Sequence, residues 1–233
     1  MLRKNSLMIL LILICLCLLA YEVLIAKGET YYYTALGIIM VGLIGFFIHF
    51  ESGKPSAILL TMIASLCALA IGSRIAFFFL PQIKPIAAIV ILAGIAFGTE
   101  VGFVTGAVSA FVSNFYFGQG SWTPFQMFAL GIIGAMAGLL FCGRKYSGWQ
   151  VTLYGFLSVF FLYGGIVDLN TIFFTSQVIT ASQVIAIYAA AVPFDLLFAF
   201  STAVFLFLLR KPILKKIGRV QTKYWLVDKN DEK

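Results

Sequence analysis

Imidazole and carboxylate are scarce in this 233-residue chain, which holds one histidine, His49, and nine Asp and Glu against sixteen Lys and Arg. With a single histidine there is no H-E-x-x-H zinc helix and no second imidazole for a metal site or a catalytic triad. The sequence also has no G-x-S-x-G elbow and no G-x-x-x-x-G-K-[ST] phosphate loop. The chain is therefore expected to be no enzyme, to hold no cofactor of its own and to hydrolyse no ATP itself. Cysteine is equally sparing. Cys15, Cys17, Cys67 and Cys142 all fall in apolar segments, and the first two point to nearly opposite helix faces, so neither a disulfide framework nor a thiolate metal site is implied.

What is abundant is hydrocarbon. Hydrophobic residues make up 62% of the chain and charged ones 11%, with a mean hydropathy of +1.04, a surface no soluble domain presents to water. The composition reads as an all-α integral membrane protein. Apolar runs long enough to cross ~30 Å of hydrocarbon are expected near 7–26, 31–49, 56–73, 85–99, 101–117, 125–142, 149–166 and 182–209, with 85–117 readable as one hairpin or two short spans. The run at 7–26 follows Arg3 and Lys4 as a secretory signal would, but it is longer than such apolar regions and lacks a small-x-small cleavage site, so a retained span is expected.

The excess of +7 is ordered by loop, which argues for topology and against a nucleic-acid partner. All the basic residues except Lys27, Arg74 and Lys84 fall on one side if the N-terminus is cytoplasmic, so both termini are expected there, in a multi-pass protein of the cell membrane. The basic segment after Leu209 reads as a topology anchor, with anionic-lipid binding as the alternative.

Three regions are expected: two Leu/Ile/Phe-rich spans over 1–54, a six-helix bundle rich in Gly, Ala and Ser over 55–210, and a basic tail over 211–233. His49, beside Glu51 at the end of the second span, reads as an interfacial, solvated histidine. Ala64, Ala68 and Gly72 recur every four residues and form a small-residue face that fits either another helix of this chain or a partner. The run Gly94, Gly98, Gly102, Gly106 and Ala110 reads as an internal packing seam.

Polar groups at membrane depth are costly, and they mark the candidate site. The segment 113–126 (SNFYFGQGSWTPFQ) sets Asn114, Gln119, Trp122 and Gln126 around two flexible glycines. Arg74 opens an apolar connection closed by Pro81, and residues 168–182 are expected as a third outer loop. Trp122 is readable as a stacking face or as part of an interfacial aromatic belt. Asp195, after Pro193 in the last span, is readable as a ligand contact, as a partner of Arg74 or as a cap on backbone loosened by the proline.

The stretch Gly94-Ile-Ala-Phe-Gly98 with Glu100-Val-Gly-Phe-Val-Thr-Gly106, and above all Ser113 to Met127 followed by Gly131, resembles the substrate-binding S component of energy-coupling factor (ECF) vitamin transporters, over about 55–210. Within that family the cobalamin type is the most similar. The resemblance implies a six-helix bundle, here preceded by two extra spans, that holds a vitamin under its outer loops. Arg74, Asn114, Gln119, Trp122, Gln126 and Asp195 are the expected substrate contacts. It further implies a transmembrane coupling protein and two cytoplasmic ATPases as partners, which supply ATP and Mg chemistry, and toppling of the bundle in the lipid to release substrate. Ala64-Ser-Leu-Cys-Ala68 matches the family's Ala-x-x-x-Ala docking motif, with Gly72 on the same face. Riboflavin, thiamine, biotin or pantothenate remain alternative cargoes. An ion-coupled secondary carrier using Asp195 and a non-transporting scaffold remain alternative functions.

Overall fold

The computed structural model describes residues 13–18, 20–21, 30–175 and 179–230. Most of the first expected span lies outside them; its described residues 13–18 and 20–21 are helical. The ordered elements are α1 (Tyr31–Ser52), α2 (Ala57–Ala76), α3 (Ile86–Phe97), α4 (Thr99–Phe117), α5 (Thr123–Phe141), α6 (Gly148–Leu157), a π-helical segment Ser158–Gly164, α7 (Gly165–Thr175) and α8 (Ala181–Asn230). No strand occurs among the described residues. Among the described residues five stretches are long and apolar enough to cross a bilayer: α1, α2, α5, the joined run Gly148–Thr175, and Ala181–Tyr224. The protein is an all-α, multi-pass membrane protein.

Helix starts follow local chemistry. Ser56 caps α2 by accepting from the Leu59 amide at 3.2 Å, and Ser147 with Gln150 forms a reciprocal capping box on α6. Between α3 and α4 a single residue, Gly98 at φ 96°, turns the chain, so 85–117 is a hairpin with almost no loop.

α3 occupies the centre. Its 12 residues rise about 18 Å, too little to cross ~30 Å of hydrocarbon, and Ile86 to Ile95 are all buried, so protein replaces lipid around it. Glycine makes this possible. A Cβ on Gly94 or Gly102 would strike the Gly134 carbonyl, and one on Gly106 would strike the Leu130 carbonyl, so α3, α4 and α5 meet backbone to backbone. This is the internal seam that the glycine spacing predicts. Phe103, itself fully buried, then stacks on Phe46 of α1 at 3.8 Å between ring centroids and ties the added helix to the bundle.

Two expectations change. Asp168 to Thr175 is helical, belonging to α7, and α8 starts at Ala181, so most of the expected third outer loop is helix; its residues 176–178 lie outside the described residues. At the far end α8 runs unbroken through 210 and past Pro212, because the residues beyond it are amphipathic. Ile217 is buried against the bundle, and the Gln221 amide donates to the Ala96 carbonyl at 2.9 Å, while Lys211, Lys215, Lys216, Arg219 and Lys223 face outward. His49 is also better placed than expected: its Nε2 lies 2.8 Å from a Glu100 carboxylate oxygen, linking α1 to the start of α4.

Candidate functional site

The polar residues of the bundle collect at one end, where α2 and α4 terminate and α5 begins. Arg74, in the last turn of α2, donates through Nη1 to Ser113 Oγ and, at 2.8 Å, to Asn114 Oδ1. Asn114 is fully buried, and its Nδ2 donates to Gln126 Oε1 at 2.9 Å and to Thr123 Oγ1 at 3.2 Å. The Thr123 hydroxyl donates onward to Gln119 Oε1 at 2.9 Å. One amide side chain thus makes three of its four possible bonds and joins three helices.

Sequence reasoning treats the amides of 113–126 alike; the structure separates them. Asn114 and Gln126 lie inside the network. Gln119 is exposed and orders its own loop, donating from Nε2 to the Phe111 carbonyl at 3.0 Å. Trp122 is 42% exposed and covers Gly120, whose missing side chain leaves room for the indole. Phe117, in the last turn of α4, takes the Arg74 guanidinium over its ring at 4.3 Å from the centroid and the Lys84 ammonium at 5.7 Å.

Asp195 does not pair with Arg74. Among the described residues the only acid within 4.0 Å of a cation is Glu100, at His49. Asp195 instead packs on Gly164, where a Cβ would meet its carboxyl oxygens, and neighbours Asp168. Gly164 ends the π-helical segment, whose wider turn sets Tyr163 within electrostatic reach of Arg74, Asp168 and Asp195, with the Gln126 amide beside its phenol. Tyr188 of α8 holds this irregular stretch by donating to the Gly165 carbonyl at 3.0 Å. Asp168 Oδ2 and Asn170 Oδ1 are buried and accept no hydrogen bond from described residues. The site residues that sequence reasoning missed are thus Ser113, Thr123, Lys84, Phe117, Tyr163 and Asp168. Ser113, Phe117 and Thr123 lie inside the flagged segment 113–126 and Asp168 opens the expected third loop, but nothing in their residue types singles them out there.

No protein-family model, curated protein or solved structure matches this chain. The site therefore rests on its own chemistry.

That chemistry has two parts. Arg74 and Lys84 supply cationic donors around an aromatic ring, whereas Asp168 and Asp195 supply acceptors, with Tyr163 electrostatically linked to Arg74 and to both carboxyl groups. Such a set suits an organic solute that carries both acceptors and donors. A cavity of about 360 Å³ lies elsewhere, among α1, α5 and α7, and is walled by Ile38, Ile39, Phe128, Ile166, Leu169 and Phe173 among others. It has no charged group and does not suit a polar solute. The small-residue face of α2 is left uncovered: Ala64, Ala68 and Gly72 are exposed, and no atom lies within 4 Å of where a Gly72 side chain would begin.

Proposed function

We propose that this chain is the solute-capturing membrane subunit of an ECF-type importer, which binds a vitamin at the outer face, with cobalamin or a related corrinoid as the best candidate. The observation that carries the reading is the Arg74–Asn114–Gln126 network, a buried polar cluster at one end of an otherwise apolar bundle. The network ties helices together, but packing alone does not call for its cation: a guanidinium costs on the order of several kcal/mol to withdraw from water, and among the described residues Arg74 has only the neutral acceptors Ser113 and Asn114 to offset that. Both termini then lie in the cytoplasm of a cell-membrane protein and the polar end faces outward. The chain has no motor and catalyses nothing; a coupling protein and two ATPases drive toppling of the bundle. The uncovered Ala64–Ala68–Gly72 face supports docking to that coupling protein.

The absorption spectrum of the purified protein tests the cargo, because retained corrinoid or flavin absorbs in the visible. Uphill accumulation by vesicles containing this chain alone would overturn the reading. It would favour the second one, an ion-coupled carrier, for which the specific observation is the neighbouring Asp168 and Asp195 carboxyls beside the π-helical turn. In that case Asp195→Asn abolishes uptake.

A further inference from the structure

The Arg74 guanidinium and the Lys84 ammonium share one aromatic ring and have no acid to balance them. Both side chains are only partly exposed, and among the described residues no carboxylate comes within 4.0 Å of either. Arg74 commits only Nη1, to the neutral acceptors Ser113 and Asn114. The Lys84 ammonium has no hydrogen-bond acceptor among the described residues; the bond at this residue runs from its backbone amide to Ser201 Oγ at 3.1 Å.

The Phe117 ring compensates too little. A cation–π contact is worth about 0.5–2 kcal/mol, while removing an ammonium or guanidinium from water costs several kcal/mol. Two cations drawn to the same ring also repel each other. Burial, and after it the nearby Arg74 charge, pull the Lys84 amine below its ordinary value. A topology anchor would send both side chains out to the headgroups; here both turn back over Phe117, at the mouth of the Asn114 network.

We infer that Arg74 and Lys84, on either flank of the α2–α3 connection, form an oxyanion subsite, and that the captured solute carries a phosphate, phosphodiester or carboxylate that seats on them. The assignment rests on the reading of this polar end as a solute site and narrows its cargo to anion-bearing molecules. Hydrogen-bond donors elsewhere on the same solute then meet Asp168 Oδ2.

The full chain, purified in neutral detergent, is titrated at constant ionic strength with inorganic phosphate, with phosphatidylglycerol in micelles and with cobalamin. Thermal midpoints and, for cobalamin, absorbance are the readouts. Phosphate is expected to raise the midpoint saturably, and Lys84→Gln, which breaks no side-chain hydrogen bond to a described residue, is expected to remove that rise. A charge-assisted contact of about 1.5–3 kcal/mol corresponds to a loss of roughly tenfold or more in affinity for an anionic ligand in Lys84→Gln and in Arg74→Gln. Lys84→Arg retains binding. A phosphate response without cobalamin binding upholds the subsite and removes the corrinoid as cargo. Cobalamin binding that is equal in the wild type and Lys84→Gln overturns the subsite and leaves the receptor reading standing. Response to phosphatidylglycerol alone assigns the cations to a lipid headgroup, and identical behaviour of wild type and Lys84→Gln toward phosphate refutes the inference outright.

Discussion

At the scale of single residues, burial decides which amide matters. Asn114 accepts from Arg74 and donates to Gln126 and Thr123 with no solvent to replace any partner. Asn114→Leu keeps the volume but removes three hydrogen bonds, to Arg74, Thr123 and Gln126, and leaves Gln126 Oε1 without its donor, so a loss of about 2–4 kcal/mol is expected, read as a lower unfolding midpoint in detergent. Gln119→Ala removes an exposed bond to the Phe111 carbonyl and the acceptor of the Thr123 hydroxyl at the edge of the network, and is expected to cost about 1 kcal/mol. Equal losses would show that the loop, and not the buried network, holds this end together. Lys84 gives a pH signature. Its amine titrates below the ordinary lysine value near 10.5 in the folded protein, so between those two pH values the unfolded chain binds more protons. Stability therefore rises with pH through that window and levels off above it. The difference in midpoint between wild type and Lys84→Gln isolates this rise, and a bound oxyanion flattens it.

At the scale of elements, the glycine seam and the extension of α8 make opposite points about legibility. The four-residue recurrence of Gly94, Gly98, Gly102 and Gly106 announces a close helix contact in the sequence, and the hairpin of α3 and α4 on α5 bears it out. Gly134→Val is expected to destabilise by more than about 3 kcal/mol or to prevent folding, because its Cβ would overlap the Gly102 carbonyl, a backbone atom that cannot step aside. Gly72→Ala, on the open face of α2, is expected to leave the midpoint unchanged. The basic segment beyond Leu209 reads in sequence as a tail, since its charges dominate. Only packing shows Ile217 buried and Gln221 turned onto the tip of the α3–α4 hairpin, at Ala96. Ile217→Asp should lower the midpoint by about 2–4 kcal/mol; a solvated tail would not notice it.

At the scale of the whole molecule, α2 carries site and free surface at once. Arg74 reaches inward at one end, while Ala64, Ala68 and Gly72 stay uncovered along the outside. Ala64→Trp with Ala68→Trp is expected to leave the midpoint and ligand binding of the isolated chain unchanged and to abolish co-purification with a coupling protein. A fall in the midpoint would instead mean that the face packs internally.

The membrane class, the approximate places of the helices and the glycine seam follow from the sequence by itself, because hydrophobic run length and four-residue periodicity are local properties that a bilayer turns directly into helices. Which polar groups meet was decided only in three dimensions. Arg74 finds Asn114 across forty residues rather than Asp195, and Asp168 of α7 finds Asp195 of α8. Those choices depend on the rotation and tilt of each helix, and rotation and tilt are set by backbone-to-backbone contacts at glycine that no single segment contains.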